Sequence, residues 1–275
     1  MTYYPDEHHP IFFLRDALRA LGAEAEFNHR DERTLGCWGL IVNGKPMVWL
    51  IDNRHPHEAA KEDPAARELL ARGVLVCHAQ KPDMERVGGK WLPLAATPGY
   101  KPFEPRTITL KSNSDSREVQ VTEHDKWYDV GFVGYIRDTG RSMLFADIGA
   151  RYSLNTGEGL FGRNAVEAYW FSRIGVNIPT GYGAPDCYDI NMRVFEIMAT
   201  GVPLVTNTLP ELAELGITHA DTAMLYDSPD HLIWLIGKLL EHPDKANEMG
   251  NKASQLVQEH HTYRHRAEQV LEWLN

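Results

Sequence analysis

The sequence predicts an α/β protein built as two Rossmann-like layers. Three observations lead there. Short apolar runs alternate with stretches of helical period through most of the chain, the pattern of strands joined by crossover helices. The 275 residues exceed what one core usually covers, so two domains follow. A proline-rich, polar stretch at 98–128 separates the two alternating series.

The first series opens with IFFLRDALRALG (11–22), a helix closed by Gly22. Residues 38–51 hold two apolar runs around Asn43-Gly44, read as strands that lead to Asp52. DNRHPHEAAKED reads as a polar loop, with Pro64 at the start of a helix over AARELLARG. A buried strand over Val74–Cys77, a short helix over Pro82–Val87 and an extended WLPLA complete a layer expected to be parallel. Its usual opening strand is missing or reduced to Thr2–Tyr4. In 98–128, TITLK and EVQVT alternate with period two around SNSDS, which predicts a linker followed by a β-hairpin.

VGFVGYI (130–136) begins the second series with a strand and a turn at Gly134. Helices are expected near Ser142–Ala150 and Asn164–Arg173, and strands over Tyr152–Asn155 and Gly175–Ile178. Asn191–Thr206, NMRVFEIMATGVPLVT, reads as helix, turn and strand. Val194, Phe195, Ile197 and Met198 form one apolar stripe, Gly201 ends the helix, and Pro203 forbids its continuation. A helix at 210–215 and a strand at 223–226 follow. The tail from His231 is helical with a break at His242-Pro243, and a last helix, about 263–274, can cross back onto the first domain.

The domains are therefore placed at 1–104 (with 263–275 packing back), 105–127 as linker and hairpin, and 128–262. Net charge is −10, which argues against a protein held on nucleic acid by bulk electrostatics. Lys101, Arg106 and Lys111 still offer a local basic strip. Cys37, Cys77 and Cys187 make no C-x-x-C pair, so neither a disulfide frame nor a structural zinc site is expected. With no signal peptide and no bilayer-spanning apolar run, the expected compartment is the cytoplasm.

Asn191, Arg193 and Glu196 cluster at the start of the helix in the 191–206 unit. Helix N-termini suit phosphate, because free N–H groups and the positive dipole end face it. A carboxylate one turn in can accept hydrogen bonds from a sugar diol. The alternative is an ordinary amphipathic helix with a solvated Arg–Glu pair.

YDVGFVGYIRD, EAYWFSRIGVNI, NMRVFEIMATGVPLVTN and the tail from AMLYDSPDHLIW to HTYRHRAEQVL, in that order, resemble the C-terminal domain of glycosyltransferases with the GT-B fold. The resemblance is closest to the CgeB-like, spore-maturation branch and covers most of 128–272. MVWLIDNRH, VLVCHAQKPD and KWLPLA resemble the same branch more faintly.

The resemblance implies a nucleotide-diphosphate sugar, UDP-linked, held by the second domain, with a hydroxyl acceptor presented by the first. It assigns Glu196 to the donor ribose, sets Asn191 and Arg193 near the diphosphate, and puts Gly134 in a glycine turn that the donor can approach. Arg137 and Arg141 follow as diphosphate clamps, since a guanidinium fork matches phosphate oxygens. Many related retaining enzymes carry a second glutamate eight positions earlier. Here that position is Tyr188, which either stacks on the nucleobase or lines a loop.

The chain has no D-x-D triplet, so metal-independent transfer with no resident cofactor is expected, with the arginines and the helix start stabilising the leaving diphosphate. A retaining outcome comes from the resemblance alone. Asp52 and His55 end a strand of the first domain and are the candidates for taking the acceptor's proton, with His57 competing. His78 is a weaker candidate. His260, His261 and His265 look like a metal set on paper, but their polar helical setting favours a structural role. The acceptor stays open among glycans, proteins, small molecules and hydroxymethylated DNA bases. A nucleotide-sugar epimerase and a non-catalytic sugar-nucleotide-binding module are the competing readings.

Overall fold

The computed structural model describes residues 9–28, 38–51, 56–111, 116–122, 125–136, 139–179 and 189–275. Elements are numbered among these. Two five-stranded sheets and a separate two-stranded one make up the β-structure.

The first sheet runs in chain order through β1 (Ala25–Phe27), β2 (Trp38–Val42), β3 (Lys45–Leu50), β4 (Leu75–His78) and β5 (Lys90–Trp91). Asn43 (φ 49°) and Gly44 (φ 77°) both adopt left-handed conformations, the requirement of a tight hairpin turn, and Val42 pairs with Lys45 across it. The apolar run of β3 is buried on both faces. Met47 and Trp49 join the core under α1 (Pro10–Ala20), while Val48 and Leu50 pack with Ala66 and Leu69 of α2 (Pro56–Ala71), and α3 (Lys81–Val87) joins β4 to β5.

Two expectations are corrected here. The first layer is not wholly parallel: β1, β2 and β3 pair antiparallel, and only β3, β4 and β5 are parallel. A hairpin thus stands where the alternating pattern suggested crossovers. Thr2–Tyr4 lies outside the described residues. Also, α2 begins at Pro56, with Pro64 in its interior. A proline removes one donor and crowds one carbonyl, but it does not forbid helix on both sides. The seven residues from His57 to Asp63 are good enough helix formers to carry the helix through it.

The hairpin of β6 (Arg106–Lys111) and β7 (Ser116–Val121) forms a sheet of its own, antiparallel as its period-two pattern implies. The second sheet is parallel throughout. It contains β8 (Tyr128–Val133), β9 (Leu154–Gly157), β10 (Ser172–Val176), β11 (Leu204–Asn207) and β12 (Met224–Tyr226), in the order β12-β11-β10-β8-β9. Helices α4 (Thr139–Gly149) and α8 (Pro229–Glu241) cover one face through Leu144, Phe145, Ile148, Leu232, Leu235 and Ile236.

The opposite face carries α5 (Gly162–Trp170) and α6 (Met192–Ala199). A Cβ on Gly175 would stand 2.5 Å from Ile197 Cγ2, so glycine there lets α6 lie directly on β10. Helix α7 (Glu211–Glu214) precedes β12.

Helix α9 (Pro243–His260) leads to α10 (Tyr263–Leu274), which returns to pack on α1. One apolar core runs from Ile11, Leu14 and Trp49 through Ala95 and Ala96 to Val194, Phe195, Val257, Tyr263 and Val270. At the crossing, Arg266 donates to the carbonyls of Pro93 (2.7 Å) and Leu94 (3.1 Å), and Ala96 N–H donates to the His261 carbonyl (3.0 Å). Among the described residues no helix is long and apolar enough to cross a membrane.

Candidate functional site

In the second sheet the chain steps from β8 outward to β9 and then back to β10 on the other side of β8. Crossovers that leave in opposite directions open a crevice beyond the carboxyl ends of β8 and β10, the usual ligand position in such sheets. Arg193 lies in that crevice. Its Nε donates to the Val133 carbonyl at the end of β8 (2.6 Å), and its Nη1 donates to Asn177 Oδ1 just beyond β10 (3.0 Å). Its guanidinium stands 4.5 Å from the Phe132 ring centre. Gly134, at φ +150°, leaves room for it, because a Cβ there would come within 2.4 Å of Arg193 Nη2.

Asn191 caps α6, its side-chain oxygen accepting from Arg193 N–H (3.1 Å). The short polar side chain at this position satisfies one of the unpaired donors of the first turn. Asn177 is fully buried. It passes the network on through Nδ2 to Thr206 Oγ1 (3.0 Å), and its carbonyl accepts from the Tyr226 hydroxyl (3.2 Å). Asp189 and Ile190, which lead into α6, are held from the first half by Gln80. Its amide donates to Asp189 Oδ1 (2.9 Å) and its oxygen accepts from Ile190 N–H (3.0 Å).

Glu196, half-buried one turn into α6, accepts a 2.5 Å hydrogen bond from the hydroxyl of Thr97 in the segment after β5. Tyr100, Tyr169 and Tyr263 stand close enough to feel its charge. Burial, with the Glu196 carboxylate adding to it, raises the pKa of all three phenols, so they stay protonated. Tyr169 accepts from Val133 N–H (3.2 Å) at the same strand end.

Arg141 is 4% exposed, its Nη1 donating to the Tyr135 carbonyl (2.6 Å) and its guanidinium 5.6 Å from the Phe132 ring centre. It braces the backbone just after the Gly134 turn. The structure therefore brings Gly134, Arg141, Asn191, Arg193 and Glu196 together around one strand-end crevice. Arg137, Tyr188, Asp52 and His55 lie outside the described residues, as does the side chain of His57. His78 is fully buried at the end of β4.

Two of the three histidines of the tail do separate structural work. His261 Nδ1 accepts from Arg266 Nη2 (2.9 Å), which leaves Nε2–H to donate to the Leu215 carbonyl (2.8 Å). His265 Nδ1 receives Thr262 N–H (3.3 Å) in a capping box at the start of α10. His260 is exposed. Among the described residues no group of three or more His, Cys, Asp or Glu is placed to hold a metal.

Thr97, Tyr100, Tyr169, Asn177 and Gln80 went unnoticed in the sequence. Each belongs to the site through tertiary contact alone. Only Asn177 left a trace, as a polar residue at the end of a buried apolar strand.

A protein-family model described as "Glycosyl transferase-like" matches residues 134–272, from the glycine turn to the end of α10. The chain belongs to this family. Its fold is that of GT-B glycosyltransferases.

Among solved structures, TarM superposes with a TM-score of 0.58 at 11% identity, over 85% of this chain and 51% of TarM. HepE (Alr3699) of Anabaena, solved in complex with UDP and glucose, gives 0.56 at 15% identity, over 83% and 70%. Sucrose-phosphate synthase of Thermosynechococcus elongatus gives 0.50 at 13% identity, over 80% and 63%. This glycosyl transferase-like chain thus spans about half of TarM and under two thirds of the synthase. No curated protein matches it.

Proposed function

We propose that the chain transfers a sugar from a UDP-sugar to a hydroxyl acceptor, without a metal and with retention of configuration, as a cytoplasmic enzyme of the CgeB-like branch. The observation that carries this reading is the crevice over β8 and β10. There a glycine turn, a helix start and two arginines converge, with a carboxylate one turn further on. The family match and the resemblance to a protein solved with UDP and glucose support it.

In this reading residues 128–262 hold the donor, 1–104 with the returning 263–275 hold the acceptor, and 105–127 link them. The donor diphosphate lies against the Gly134 backbone and the first turn of α6. Asn191 shapes that turn, and Arg193, with two of its nitrogens engaged by Val133 and Asn177, keeps its charge fixed beside the phosphates. A fixed charge needs no reorganisation as the diphosphate departs, which is how preorganised groups lower a barrier. Arg137 and Arg141 add positive charge on the β8 side. Glu196 takes the ribose diol, Tyr188 stacks on the base, and Asp52 or His55 receives the acceptor proton.

Calorimetric titration with UDP and release of nucleoside diphosphate from UDP-sugars test the reading. Glu196→Ala is expected to weaken UDP binding at least tenfold with little loss of stability, and Arg193→Ala to weaken it further. Normal binding and turnover in both variants would overturn the assignment. Activity lost in excess EDTA and restored by magnesium or manganese would overturn the metal-independent part.

A further inference from the structure

Thr97 belongs to the segment that follows β5 in the first half, not to the sheet that forms the crevice, yet its hydroxyl donates to Glu196 Oε1 (2.5 Å). Its mount is firm. Three residues upstream Leu94 gives its carbonyl to Arg266, itself 2% exposed, and Ala96 N–H is bonded to the His261 carbonyl. One turn downstream Tyr100 N–H closes back on the Thr97 carbonyl (3.2 Å). Thr97 is 8% exposed, and its hydroxyl also lies 3.5 Å from Met192 Sδ on the first turn of α6. A carboxylate on an otherwise unrestrained side chain samples several rotamers. One held at Oε1 by a rigid neighbour presents its remaining acceptor capacity in a fixed direction, since each carboxylate carries about four lone-pair sites.

We infer that Thr97 is a positioning residue for the donor nucleotide: by donating to Glu196 Oε1 it aims the carboxylate at the ribose diol, so that selection of ribose over deoxyribose depends on a hydroxyl from the first half. The inference rests on the assignment of Glu196 to the ribose. It also makes the segment after β5 part of donor recognition, because anything that shifts residues 94–97 shifts the group that reads the sugar. Valine has nearly threonine's shape but cannot donate, whereas serine keeps the donor and loses a methyl.

The experiment measures the affinity of the full chain for UDP and for 2′-deoxy-UDP by calorimetry, and takes the ratio. Wild type is expected to prefer UDP about tenfold or more. Thr97→Val is expected to bring the ratio to threefold or less, while Thr97→Ser keeps it within twofold of wild type. A purely structural role for Thr97 would weaken both nucleotides equally and leave the ratio unchanged. Thr97→Ala gives the same readout if the valine variant does not fold.

Glu196→Ala separates the two levels. If it loses the preference and Thr97→Val keeps it, the inference fails while the ribose assignment stands. If Glu196→Ala keeps the preference, or if neither nucleotide binds, the ribose assignment itself fails and the inference falls with it.

Discussion

Two arginines in this molecule do similar bonding in different surroundings. Arg193 ties a strand-end carbonyl to the side chain of Asn177 in a half-open crevice, and Arg266 ties the Pro93 and Leu94 carbonyls to His261 in the closed crossing between the halves. Both use the planar fork that lysine lacks. The difference is solvent. Arg266 is almost fully buried and every bond it makes joins parts of the chain, so its energy goes into holding the halves in place. Arg193 is half-buried beside a bare glycine turn, so its charge also faces whatever enters the crevice.

The contrast breaks most visibly at Arg266. Arg266→Ala strands the buried Pro93 and Leu94 carbonyls and is expected to lower stability by roughly 2–4 kcal/mol in urea unfolding. Arg266→Lys is expected to recover only a minor part of that loss. If Arg266→Ala costs less than Arg193→Ala does, the division of labour drawn here is wrong.

The next effect sharpens the crevice side. Gly134→Ala puts a methyl where Arg193 Nη2 now lies, at a φ that favours glycine. Displacing the guanidinium is expected to reduce UDP affinity five- to tenfold and stability by about 1–2 kcal/mol. An unchanged affinity would mean that the guanidinium position does not matter to the ligand.

The smallest effect is one of pH. Burial, with Arg266 beside it, lowers the His261 pKa from 6.5 to about 4. Between these values the unfolded chain binds a proton that the folded chain refuses, so stability rises with pH across this window and falls as pH drops from 6.5 towards 4. His261→Gln is expected to flatten that slope in unfolding curves taken at pH 4.5, 5.5 and 6.5, and an unaltered slope would place its origin elsewhere.

Much of the second half was legible because a parallel sheet buried on both faces writes itself as apolar runs separated by amphipathic helices. The helix of 191–206, its cap, its glycine stop and its strand stand where their residue types dictate. The first half was less legible. The pairing of β1 with β2 depends on three residues, too few to show a period, and Pro64 looked like a helix start because its cost is local while the helix around it is not. Within the candidate site, the groups borne on α6 announced themselves by spacing. Thr97 and Gln80 could not, for they reach the crevice from distant segments. Asp52, His55, Arg137 and Tyr188 lie outside the described residues, and their roles rest on the resemblance.

Ala96 and Thr262 form a bridge between the outgoing and returning segments, so the chain passes between its two halves as a pair of adjacent threads. Such a pair bends easily across its width and resists twisting or spreading. The continuous apolar core around it, from Trp49 through Ala96 to Tyr263, opposes separation of the halves at the same place. The Thr97–Glu196 bond starts one residue beyond this doubly held point, so the group that meets the carboxylate is anchored where the two threads meet.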